Sequence, residues 1–205
     1  MADQTVHDMP QPIRDGHGAT DNGPRNPQMD LQNPNLLVPP KEDSGTLPNM
    51  KFSFSQAHMR LDEGGWAREV TRRELPIATT LAGVNMRLKP GAIRELHWHP
   101  NNDEWQYYLS GRGRMGVFAN SGHNRTFDCQ PGDVGYVPFA MGHYIENTGD
   151  TPLRLLEMFQ APRFEDVSLA QWMALTPSEV VRHHLNLNDR VMASLRKEKQ
   201  PIFRP

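Results

Sequence analysis

Four side chains in this sequence have the types and spacing to hold a metal ion. His97 and His99 stand two apart, so on an extended strand both imidazoles leave from one face. Glu104 follows a Pro100-Asn101-Asn102-Asp103 turn, early on a second strand that would fold back beside the first. His143 lies further on, in the stretch GDVGYVPFAMGHYIEN from Gly132 to Asn147. Three imidazoles and a carboxylate on neighbouring strands can surround a divalent cation from one side, leaving two adjacent positions for a small ligand. A lone histidine reads as a surface or core residue; these four together read as a metal centre. Neutral imidazoles and one ionised carboxylate leave a divalent centre net positive, which favours an anionic chelate. The donor types suit Mn, Fe, Co, Ni or Zn and do not choose among them.

The elements that must position these residues are strands. Leu81 to Lys89 alternates, with Val84, Met86 and Leu88 on one face and Asn85, Arg87 and Lys89 on the other. Phe52 and Phe54 alternate with polar residues, and Trp66–Thr71 continues in that vein. Further strands are predicted over Ile93–His99, Glu104–Ser110, Arg114–Phe118, Thr126–Cys129, Val134–Pro138, Tyr144–Glu146 and Leu153–Phe159, separated by Pro/Gly/Asn turns. Many short, evenly spaced strands indicate an antiparallel sandwich or barrel. Alternation turns Trp98 and Trp105 away from the ligands. It places Glu157 with Leu153, Leu155 and Phe159 on an apolar wall. There the carboxyl is either a proton donor with a pKa raised by desolvation or a buried glutamate paired locally. Strand parity puts Arg94 opposite His97, so it reads as a surface arginine unless a bulge intervenes.

The rest of the chain frames this barrel. Residues 1 to about 49 are rich in Pro, Asn, Gly, Asp and Gln, and Leu36-Leu37-Val38 is their one apolar knot. That composition is expected either to be disordered or to form an arm across a neighbouring subunit, and the knot favours the arm. After Pro162 the period becomes helical. Ser168-x-x-Gln171 and Thr176-Pro177-Ser178-Glu179 have capping-box form, predicting helices over about 168–175, 177–185 and 188–197. Adjacent His183 and His184 do not share a helix face, so no second metal site is expected there. Net charge is −2 with mixed signs throughout, which argues against a nucleic-acid partner, and no apolar run predicts a membrane span. Cys129 is the only cysteine, so no internal disulfide forms; with no basic-then-apolar start, the expectation is a soluble cytoplasmic protein.

The spacing also carries a resemblance. Gly91-x5-His97-x-His99-x4-Glu104-x6-Gly111 resembles the first motif of the cupin superfamily. Gly132-x5-Pro138 with His143-x3-Asn147 resembles the second, departing at Ala140, where that family usually has glycine. The resemblance implies an all-β fold, a double-stranded β-helix or jelly-roll barrel, with the metal in its mouth. The organisation expected is an extended N-terminal arm over 1–50, the barrel over 51–160 and a helical tail over 161–205. PGAIRELHWHP, DEWQYY, GDVGYVPFAMGHYIEN and DVSLAQW are more specifically similar to the oxalate decarboxylase family, two-cupin manganese enzymes. QNPNLLVPP, GTLPNMKFSFS and REVTRRELPI resemble the opening of that family. Residues to about His99 are similar to its first half and those from about Pro100 to its second, as if one barrel were left out between two repeats.

This likeness implies Mn(II), with Fe or another divalent metal left open, bound by His97, His99, Glu104 and His143. It implies oxalate as substrate, dioxygen as redox partner, and formate and CO2 as products. Arg94 matches the arginine that polarises the substrate, and Glu157 an acid near the metal of the second half. Val84 and Met86 would line a pocket that excludes water. The family's Ser-Glu-Asn-Ser lid is absent; the corresponding region is Ala161–Asp166, where Glu165 is the candidate substitute. That departure leaves two alternatives, an oxalate oxidase or other oxygen-using cupin enzyme and a non-catalytic metal-binding cupin. A single barrel with an arm and a tail is expected to form a homo-oligomer (dimer, trimer or hexamer) in which two chains recreate the pair.

Overall fold

A computed structural model describes residues 50–205. The predicted arm lies outside the described residues, except for Met50. Twelve strands follow in the described chain. They are β1 His58–Asp62, β2 Gly65–Val70, β3 Ala82–Leu88, β4 Ile93–Trp98, β5 Glu104–Ser110 and β6 Gly113–Phe118, then β7 Asn124–Cys129, β8 Val134–Val137, β9 Gly142–Asn147, β10 Leu153–Phe159, β11 Val167–Ser168 and β12 Ile202–Phe203. One sheet has the order β1-β2-β3-β10-β5-β8; the other runs β11-β4-β9-β6-β7, with β12 also on β4. Every pairing is antiparallel. Between β3 and β10 the chain crosses repeatedly from sheet to sheet, which is the jelly-roll arrangement.

Period-two alternation sets which residues line the interior. In β3, Ala82, Val84, Met86 and Leu88 are buried while Gly83, Asn85 and Arg87 are partly exposed. β10 repeats the pattern with Leu153, Leu155, Glu157 and Phe159. The apolar side chains of both strands pack with Tyr108, Met115, Val137, Ile145 and Ile202 into one cluster between the sheets. Burying each large aliphatic or aromatic side chain is worth about 1.5–3 kcal/mol, which favours one register over a slip by a residue. Gly111 closes the turn after β5 with φ +82, and a Cβ there would lie 2.6 Å from the Pro152 carbonyl oxygen.

Two regions differ from the sequence expectation. The Phe52/Phe54 alternation does not make a strand: Phe54–Gln56 is a single 3-10 turn, and the first strand is His58–Asp62. The buried Arg68 side chain donates to the carbonyls of Phe54 (3.1 Å) and Ala57 (3.4 Å), taking acceptors that a ladder would have used. After Pro162 come α1 Leu169–Leu175, α2 Ser178–Leu185 and α3 Asp189–Ser194, close to the predicted helices. Ser168 caps α1 by accepting from the Gln171 N–H. Thr176 does not cap α2; its hydroxyl donates to the Trp172 carbonyl (2.8 Å) and closes α1 instead. Helical periodicity also gave no sign of β11 and β12. Both lie antiparallel on β4, Val167 and Ser168 opposite Trp98 and His97, Ile202 and Phe203 opposite Arg94 and Ile93. The tail therefore braces the strand that carries His97 and leads into His99.

Candidate metal centre and the adjoining pocket

The structure brings all four predicted donors together. His97 and His99 project inward from β4 and the residue after it, Glu104 from the start of β5, and His143 from β9 directly opposite His97. One donor atom from each lies within 4.8 Å of the others, and all four residues are buried. Donors around a first-row divalent ion, bonded at about 2.0–2.2 Å, lie within about 4.5 Å of one another. The cluster thus fits such an ion after a small side-chain adjustment.

Hydrogen bonding from outside the cluster fixes each ring. His97 Nδ1 bonds the Glu95 carbonyl (2.7 Å), His99 Nδ1 that of Glu165 (2.8 Å) and His143 Nδ1 that of Met141 (3.1 Å). A carbonyl only accepts, so each Nδ1 carries a proton and it is Nε2 of each ring that faces inward, the nitrogen that would ligate a metal. Two of those nitrogens lie beside one Glu104 oxygen, His99 Nε2 at 3.0 Å and His143 Nε2 at 2.8 Å. His143 Nε2 is buried without a hydrogen-bond partner. Lone pairs crowded against a carboxylate in this way call for a cation. Burial, and then the charge of Arg94, hold His97 well below the ordinary histidine range. For Glu104, burial pushes the carboxyl up, but the neighbouring His143, and after it His99, outweigh it and keep the group well below the usual carboxylate range.

Arg94 is buried, not on the surface. Arg94 pairs with Ile145 and His97 with His143, so β4 uses three residues where β9 uses two. That bulge reverses the parity and sends Arg94 and His97 to the same side. Arg94 Nη2 donates to Asp166 Oδ2 at 2.5 Å, while Nη1 makes no hydrogen bond. Glu157, predicted on the inner wall, is there, and burial followed by repulsion from Glu104 pushes its carboxyl well above the ordinary value. Arg94, Glu157, Val84, Met86, Phe164 and Asp166 line a cavity of about 250 Å³. Phe164 stacks on Phe159 (4.9 Å) and approaches the His99 ring (6.0 Å), covering the centre.

Sequence reasoning missed Asp166 and Lys199, which form an ion pair within this cavity lining. Burial pushes Asp166 up, but Arg94 and Lys199 outweigh it and hold the carboxyl far below its ordinary value. Nothing near Asp166 or Lys199 in sequence signals the other, since tertiary folding alone joins them. Glu165 faces solvent on Arg163 (2.6 Å), and only its carbonyl touches the site. Trp98 turns outward onto Trp172 and Trp105 onto Tyr107, while His183 and His184 are exposed on α2.

A jelly roll with three histidines and a glutamate converging from adjacent strands defines a class, and the chain belongs to the cupin family, whose model matches residues 53–193. Among its relatives, oxalate decarboxylase OxdC of Bacillus subtilis is 32% identical, with 97% of this chain and 98% of the relative covered. That alignment runs over 376 positions against a chain of 205 residues, so it skips a long internal stretch of the relative. A probable oxalate decarboxylase of Arthroderma benhamiae is 46% identical over 68% of this chain and 35% of the relative. The solved Lactobacillus farciminis oxalate decarboxylase in complex with formate is 40% identical, with a TM-score of 0.74 over 82% of this chain and 50% of that one. The chain spans about a third of the fungal relative and half of the Lactobacillus one.

Proposed function

We propose that this chain is a manganese-dependent oxalate decarboxylase, converting oxalate to formate and CO2, with His97, His99, Glu104 and His143 as metal ligands and Arg94 and Glu157 as the acting side chains. The supporting observation is the β4 bulge, which turns a buried guanidinium to the same side of the strand as His97. A solved Bacillus oxalate decarboxylase 32% identical to this chain carries Mn(II) centres, which favours manganese over the other metals the donors accept. When bound, manganese supplies a positive anchor for oxalate oxygens and, with dioxygen, one-electron chemistry.

The protein's own residues supply the rest. Arg94 Nη1, which makes no hydrogen bond and has the Glu95 carboxylate 3.7 Å away as its ion-pair partner, donates to a substrate carboxylate and fixes its plane. Val84, Met86, Phe159 and Phe164 keep water from the carbon that loses CO2. Oxalate dianion and one proton give CO2 and formate, so one proton must reach that carbon. Glu157, whose buried carboxyl holds its proton well above the usual carboxylate range, is the donor. Metal analysis combined with formate and peroxide assays on oxalate tests this reading. Bound manganese with formate as the main product is expected; metal-replete protein yielding only peroxide, or nothing, would overturn it.

The fold is further proposed to work as an N-terminal arm over 1–50, a barrel over 51–160 and a tail over 161–205. Two or more chains then associate as a homo-oligomer that restores the paired barrels of longer relatives, and light scattering at micromolar concentration reads that directly. Among the described residues no helix is long and apolar enough to cross a membrane, and a single buried cysteine suits a cytoplasmic setting.

A further inference from the structure

Glu104 is held by more than the histidines. On β5, Glu104, Gln106 and Tyr108 share the inner face, and all three are almost fully buried. Gln106 Nε2 donates to Glu104 Oε1 at 2.7 Å, and the Tyr108 hydroxyl donates to Gln106 Oε1 at 2.8 Å. The direction of this chain is forced. An ionised carboxylate only accepts, so the amide nitrogen must face it and the amide oxygen must face a donor. The oxygen Oε1 is thereby committed, and Oε2 is the one left toward His99 and His143.

Room for this arrangement comes from the neighbouring strand. Gly135 on β8 stands opposite Gln106, and a Cβ at Gly135 would lie 2.6 Å from Gln106 Oε1. Gly135 is not among the glycines with positive φ, so its backbone does not require glycine; the Gln106 carboxamide does.

We propose that Gln106 is a positioning residue for the metal centre, steadied by Tyr108 and housed by Gly135, which together fix the orientation of the Glu104 carboxylate. This rests on the reading of Glu104 as a ligand. Partners that orient ligating groups typically contribute about 10- to 100-fold to metal affinity. Gln106→Met keeps the volume and removes both hydrogen bonds, Gly135→Ala pushes the carboxamide aside, and Tyr108→Phe removes only the donor to it.

The test is Mn(II) titration of metal-stripped protein followed by electron paramagnetic resonance, with melting of the metal-free form measured in parallel. Affinity about 10- to 100-fold weaker is expected for Gln106→Met, with smaller losses in Gly135→Ala and then Tyr108→Phe. All three should show an altered zero-field splitting. Wild-type affinity and spectrum in the variants that fold, with only the melting temperature lowered, would make the role structural and overturn the proposal. If Gln106→Met does not fold, Gly135→Ala decides by the same criteria. A wild-type protein that binds no Mn(II) would instead overturn the parent reading of the centre.

Discussion

The two halves of the site are assembled in opposite ways. The four donors come from three adjacent stretches of the barrel, and backbone carbonyls close by in space lock their rings. The pocket beside them is made by distant parts of the chain: Arg94 is separated from Asp166 by 72 residues, and Lys199 arrives from the far end of the tail. In the first half, charge is left uncompensated in a way that a cation relieves. In the second, buried charges already compensate one another through the Arg94 Nη2–Asp166 pair, so the proposed substrate anion would take the Nη1 side of the guanidinium. The donors all stand on the barrel, which the tail touches through the Glu165 carbonyl on His99 and the pairing of Ser168 with His97, whereas the pocket takes two of its charged lining residues, Asp166 and Lys199, from the tail itself.

His97→Ala should break the first half outright. Manganese content and formate production should both fall to background while the circular dichroism of the barrel persists. A variant that retained stoichiometric manganese would show the centre to be less dependent on its histidines than their shared geometry implies.

Glu157→Gln should instead leave metal content intact and lower kcat by about 100-fold or more, the usual worth of a general acid. The pH dependence sharpens the distinction. Because the folded pKa lies above the ordinary carboxyl value, folding favours the protonated form. Wild-type activity should therefore fall as pH rises through the folded value, and the variant should lose that limb. In the metal-free protein the same shift removes stability as pH rises from the unfolded value toward the folded one. Glu157→Gln should accordingly melt higher than wild type near neutrality and equally with it in acid, a pattern that paired thermal scans would read.

The difference between the halves also explains what the sequence disclosed. His97, His99, Glu104 and His143 were legible because strand periodicity and a tight turn place them with little help from the rest of the fold. Glu157 followed from the same alternation. Arg94 did not, since a bulge is a mismatch between two strands: nothing in Ile93–His97 states that β9 will offer two residues against three. Asp166, Lys199 and the role of Gln106 need coordinates, as each depends on a partner across a strand or across the chain. The short repeat Phe52-Ser53-Phe54 misled because it alternates like a strand while Arg68 takes the Phe54 carbonyl.

Asp166→Asn probes the tail's hold on the pocket. Arg94, 4% exposed, and the largely buried Lys199 would lose the carboxylate that pairs them. Removing one partner of a buried ion pair costs about 3–5 kcal/mol, and the water-reachable side of Lys199 places the expected loss at about 3 kcal/mol. The sign with pH is opposite to that of Glu157. A depressed carboxyl stabilises above its unfolded pKa and stops doing so as pH falls through the folded value, so wild type and variant should converge only in strong acid. Urea denaturation at neutral and acid pH reads both quantities. Equal midpoints at neutral pH would mean that the tail contributes little to the site.

The smallest effect belongs to the barrel mouth, where Ala140 stands at the position usually occupied by glycine in the cupin motif. Its φ is +60, in the left-handed region that a Cβ disfavours, and its N–H donates to the His99 carbonyl at 3.1 Å. The turn that carries His143 toward the centre is therefore mildly strained, at a cost of about 1–2 kcal/mol offset in part by alanine's lower freedom in the unfolded chain. Ala140→Gly should stabilise by about 0.5–1 kcal/mol in urea melts and leave manganese affinity unchanged, because the His99 carbonyl keeps its donor. A loss of stability would show that the neighbours of Ala140 hold its methyl group more firmly than the backbone resists it. The donor half would then owe part of its rigidity to a side chain outside the metal centre.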